Sequence, residues 1–248
     1  MNYLQERCAH HCFPGMSATE IRGAVRKEVE AIEAEKLLRY SYVPFCLAEG
    51  AWDYAETVID VAITGKMYET KPLTRRIRAL RKSYDRQRDD NAYSIGMTPS
   101  ESRKMEIENF EIMEEESGGL FTQLNFTIRN AINKQYPNID DNRKFLLTAI
   151  WTCHYMCKVV IDYTRKQGEI IRKRLGLPSI GDILPREIYQ LDSVVLEFAK
   201  DTPLAVDMST FVDALVNALC TIGFNEVDKN GKVKNVIQSN ELVGDETR

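Results

Sequence analysis

Three groups of side chains in the 248-residue sequence have types and spacings that could do chemistry. The first holds all three histidines and four of the six cysteines, in the segments Cys8-Ala9-His10-His11-Cys12 and Cys153-His154-Tyr155-Met156-Cys157. On a helix, Cys153 and Cys157 stand at i, i+4 and share a face. With His154 beside them and Cys8 and Cys12 folded over, they could complete a tetrahedral nitrogen and sulfur site for zinc. Packing explains the same residues more simply. Cys153 and Met156 fall on an apolar face with Ala149 and Val160, where a free cysteine behaves as a small hydrophobe. Neither a metal nor a cofactor is expected.

The second group is acidic. Glu49, Asp53, Glu56 and Asp60 recur at i, i+4, i+7 and i+11, which sets four carboxylates on one helical face beside Trp52. Di-metal helical bundles use such carboxylates, but with Glu-x-x-His pairs on two further helices. This sequence contains no Glu-x-x-His. The stripe therefore reads as a solvated or ion-paired face.

The third group is basic. Between Lys71 and Arg88, eight cations stand against one acid, Asp85. Lys71, Arg75, Arg78, Lys82 and Arg86 form one row along a helix, a row that could meet phosphates or an acidic protein. No aromatic residues interleave it as a base-stacking platform requires. Internal or partner ion pairing is the expected role, with the stripe at 49–60 or the acids at Glu101, Glu106, Glu108, Glu111 and Glu114 to Glu116 as counterparts.

No catalytic residue is assigned. The sequence has no GxGxxG, P-loop, HExxH or GxSxG motif. Glu226 to Gly231 resembles half of a calcium loop, but Ile237 occupies the position that needs a bidentate Glu. Asn125-Phe126-Thr127 matches a glycosylation sequon inside an expected helix.

The elements that position these groups are expected to be helices. Ser17 to Glu20 reads as a capping box, and Pro44 as the first residue of a helix whose stripe runs from Phe45 through Trp52 and Ile59 to Ala62. Pro72 opens the basic helix. Thr98-Pro99-Ser100-Glu101 is a second capping box, Gly118-Gly119 a break, and Pro137 a stop. A helix over about 141–167 is apolar on nearly all sides from Phe145 to Tyr163, which places it at the centre of a bundle. Ser209 reads as the cap of the last helix, and Asn230-Gly231 suits a small C-terminal hairpin.

The expected fold is thus all-α: an irregular bundle of seven to nine helices around 141–167. Its expected divisions are an arm at 1–16, the main bundle at 17–176, a C-terminal helical subdomain at 177–224 packed on the bundle, and a polar tail at 225–248. With 44% apolar residues, 28% charged residues and a net charge of −4, the composition is that of a globular domain without global attraction to nucleic acid. The longest uncharged run, Phe145 to Cys157, is 13 residues, short of the roughly 18–20 a bilayer requires. Glu6, Arg7, His10 and His11 interrupt the place of a signal-peptide core. A cytoplasmic setting with reduced thiols and no membrane partner is expected. The function expected is non-enzymatic: a helical interaction or assembly protein that uses charged helix faces to bind a protein partner or itself. A nucleic-acid-associated role for the helix at 71–88 is the alternative, and a metal-dependent bundle enzyme comes third.

Overall fold

Apolar stripes at helical spacing fold as seven α-helices among the residues that the computed structural model describes, 34–94, 97–175, 186–220, 223–227 and 233–238. In chain order these are α1 (Ala34–Thr64), α2 (Lys71–Ser94), α3 (Pro99–Glu116), α4 (Leu120–Gln135), α5 (Asp141–Leu175), α6 (Arg186–Ala199) and α7 (Ser209–Leu219). Strands β1 (Gly223–Val227) and β2 (Val233–Gln238) then pair antiparallel, with Val227 opposite Val233 and Gly223 opposite Gln238. The expected arm at 1–16, the Ser17 capping box, the segment 176–185 and the Asn230-Gly231 turn lie outside the described residues.

Local chemistry sets most boundaries. Thr98 caps α3 reciprocally: its hydroxyl accepts from the Glu101 amide at 3.3 Å, and the Glu101 carboxylate accepts from the Thr98 amide at 2.7 Å. Gly118 and Gly119 separate α3 from α4 at φ +72° and +76°, a conformation that costs a Cβ-bearing residue about 1–2 kcal/mol. Glu114 then reaches forward, and its two oxygens accept from the Phe121 and Thr122 amides at 3.0 Å, filling the start of α4. Asp140 does the same for α5 by accepting from the Arg143 amide at 3.0 Å.

Two expected helix starts are corrected. Pro44 does not open a helix, because α1 already runs from Ala34 and continues through it to Thr64. Proline lacks an amide hydrogen and crowds the preceding turn, yet the long stripe after it holds the helix together. Ser209 is not a cap either. It is the first residue of α7, preceded by Met208, and the Asp207 carboxylate accepts its amide at 2.9 Å.

α5 is the axis. It packs on α1, α4, α6 and α7, and Leu146, Leu147, Ile150, Cys153, Met156, Val159 and Val160 are all buried. By length and composition Asp141–Lys166 could cross a membrane, but 72% of its most apolar window is buried inside the bundle. A single core cluster joins α5 to Trp52 and Val58 of α1, Leu73 and Ile77 of α2, Leu124 and Ile128 of α4, Leu191 and Val195 of α6 and Leu215 of α7. The alternation of long apolar stripes and short turns makes α1 and α2 antiparallel neighbours, and that hairpin carries the charged groups of interest.

A charged groove between α1 and α2

The eight cations of α2 divide into two sets. Arg81 is buried among acids: its Nη2 donates to Glu49 Oε1 at 2.8 Å, and its Nε lies 2.9 Å from Asp85 Oδ1. Arg88 donates to Asp85 and Asp89 at 2.9 Å each. Arg76 reaches α6 and pairs with Glu197 at 2.6 Å. The remaining row points outward. Lys71, Arg75, Arg78, Lys82 and Arg86 are all exposed, and among the described residues none forms an ion pair. Lys71 sits 4.7 Å above the exposed Tyr68 ring.

The acidic stripe divides at the same level. Glu49 is only 1% exposed and holds Arg81 on one oxygen, with Arg103 of α3 at 3.6 Å from that oxygen. Such a buried pair contributes little net stability, but removing one partner strands a charge and costs about 3–5 kcal/mol. Burial opposes the charge of Arg81, yet Glu49 and Asp85 outweigh it and raise the guanidinium pKa. Asp53, Glu56 and Asp60 reach the surface. The Asp53 side chain opens to solvent on one side only, and this partial burial of its carboxyl, with Glu49 and Glu56 adding repulsion, raises its pKa from 3.8 to about 6.

Between the two helices runs a groove of about 390 Å³. Trp52, Ile59 and Ile77 supply apolar lining; Glu56 and Asp60 stand on the α1 side, and Arg78 and Lys82 on the α2 side. Glu56 and Asp60 pair with neither Arg78 nor Lys82 across it, nor with any other described residue. Under the groove Arg81 lies 5.5 Å from the Trp52 ring and 5.6 Å from the Tyr84 ring, so the guanidinium is clamped by aromatics as well as by acids. Among the described residues, three atoms here have no hydrogen-bond partner: Glu49 Oε2, Trp52 Nε1 and Arg81 Nη1. Gly50 admits α3 to this neighbourhood, since a Cβ on it would meet the Phe110 ring at 2.2 Å.

The cysteines and histidine of α5 make no comparable site. Cys153 is buried and its thiol donates to the Ala51 carbonyl at 3.6 Å. A hydrogen bond with Cys153, together with burial, holds the Cys157 thiol well above its usual range, which suits a core thiol and not a nucleophile. His154 turns away to the Asp192 carboxylate of α6, 2.5 Å from Nδ1, with Trp151 and Tyr155 packed edge-on. Cys8 and Cys12 lie outside the described residues, and among the described ones no three metal-ligating side chains converge.

Sequence reasoning placed the exposed row and the stripe but missed Arg81, Arg88 and Arg103 as internal anchors. The signal existed for two of them. Ile77, Arg81, Tyr84 and Arg88 follow at i, i+4, i+7 and i+11, so Arg81 and Arg88 extend the apolar seam of α2. Glu187, buried on α6 and held by Ser83 at 2.5 Å and Gln87 at 2.8 Å, had no such signal. No family model, curated protein or solved structure matches this chain.

Proposed function

We propose that the protein is a non-enzymatic helical interaction module whose α1–α2 groove receives a protein partner. The observation that carries this reading is that the two walls of the groove present exposed, opposite charges over a buried apolar floor. Glu56 and Asp60 face one side, Arg78 and Lys82 the other, and none of them is neutralised within the described chain. A partner surface with interspersed charges satisfies both walls at once. A polyanion satisfies only one. Phosphates drawn to Arg78 and Lys82 would also approach the two carboxylates, which repel them.

The outward row Lys71, Arg75, Arg78, Lys82 and Arg86 favours a second reading, nucleic-acid binding along α2. That reading is weaker because Arg81, Arg88 and Arg76 are already committed to internal acids.

Site-specific photo-crosslinking in the source cells tests the first reading. A photoreactive residue at exposed Lys82 is expected to give protein adducts, and one at exposed Asn130 on α4 is the control. Adducts at 82 no more abundant than at 130 would sink it.

A further inference from the structure

We infer that the occupant of the α1–α2 groove is the same groove of a second copy of this chain, forming a two-fold dimer. The inference rests on the interaction reading above and names its partner. Its basis is self-complementarity. In two facing grooves, a two-fold axis running along the groove sets the α1 wall of each copy over the α2 wall of the other. Glu56 and Asp60 then meet Arg78 and Lys82 twice, in the isologous manner of closed dimers. A two-fold axis across the groove would set like charges together, so the charges select one arrangement.

Size and apolar content agree with this. α2 has 24 residues, which at 1.5 Å per residue gives about 36 Å of length. The outward row from Lys71 to Arg86 covers about 24 Å of it, and two adjacent helices are roughly 20 Å wide, hence roughly 500 Å² per copy, the small end of specific interfaces and the range of salt-sensitive association. At the turn closing the hairpin, Ile63 is 54% exposed and Tyr68 is 69% exposed. Large apolar side chains left in water beside unpaired charges are the composition of an interface core and its rim.

Sedimentation of the full chain, with charge reversals, tests the dimer. The wild type is expected to dimerise at about 0.05 M salt and to weaken at about 0.5 M, as screening shortens from roughly 14 to 4 Å. R78E/K82E makes both walls acidic and E56K/D60K makes both basic, so each alone is expected to lose at least about tenfold in dimer affinity. Mixed together, they are expected to form a one-to-one heterodimer, because every facing pair is then opposite. All four positions are exposed, and thermal melts check that the variants fold. Should a reversed chain melt early, R78Q/K82Q and E56Q/D60Q replace it and are expected to abolish the salt dependence. A monomeric wild type, a dimer indifferent to these changes, or reversed chains that fail to pair would each overturn the inference. If the wild type is monomeric while position 82 crosslinks to a different protein, self-association fails and the interaction reading stands. If position 82 crosslinks to nothing, both fail.

Discussion

Asp53 is the residue whose environment makes the sharpest statement about pH. Its carboxyl is held at about 6 by partial burial and by Glu49 and Glu56, against 3.8 in a solvated chain. The folded state therefore binds the proton more tightly than the unfolded state does. Between about pH 4 and 6 stability falls as pH rises, and above about 6 the full penalty of the charged form is present. Asp53→Asn removes that penalty. The variant is expected to melt higher than wild type at pH 7 to 8, with the gain shrinking through pH 6 to nothing near pH 4. Equal gains at pH 4 and pH 8 would show that charge is not the cause. The sequence showed Asp53 as one member of a four-carboxylate stripe and could not rank the members. Ranking depends on what lies opposite, and Arg103 comes from α3, some fifty residues along the chain. Arg81 and Arg88 were legible only as part of a basic run, although their spacing with Ile77 and Tyr84 marks them as inward.

Elements were legible wherever a local interaction decides them. The Thr98–Glu101 capping box, the Gly118-Gly119 break and the apolar α5 are fixed by residues within a few positions of one another, and the structure contains all three. Pro44 and Ser209 misled for the complementary reason. Their helical preferences are worth about 1–3 kcal/mol, and tertiary burial along α1 and α7 exceeds that. The extent of α5 follows the same logic. Its basic end carries the helix on to Leu175, past the 167 at which the apolar run placed its end. Because α5 touches four other helices, a charge on its buried face has no route to water. Ala149 is 3% exposed. Ala149→Asp places an unpaired carboxylate there and is expected to cost several kcal/mol of the roughly 5–15 that a domain possesses. Calorimetry reads this as loss of the cooperative transition. A soluble variant melting within a few degrees of wild type would move the axis of the bundle elsewhere.

At the scale of the whole molecule, charge placement matters more than net charge. The chain carries −4 overall, yet α2 shows to solvent five cations without an ion pair among the described residues, while three of its arginines hold acids of α1, α2 and α6. Two of them tie helices together: Arg81 joins α2 to α1, and Arg76, with Ser83 and Gln87, joins it to α6, while Arg88 pairs along α2 itself. The surface left over is a narrow basic row bordered by Glu56 and Asp60. This geometry limits what duplex DNA or RNA can gain. Five cations neutralise at most about five phosphates, so the logarithm of affinity should fall with the logarithm of salt at a slope no steeper than about −4.5. Between 50 and 200 mM salt the loss is then up to roughly 500-fold, and the bordering carboxylates lower the starting point further. Fluorescence anisotropy with a labelled duplex is expected to show weak binding without sequence preference at low salt and none near physiological salt. Replacing Arg75, Arg78 and Lys82 together by Glu should remove even the low-salt signal. Submicromolar binding at physiological salt that these three changes abolish would make the basic row a nucleic-acid surface, and the two walls of the groove would then no longer act as one site.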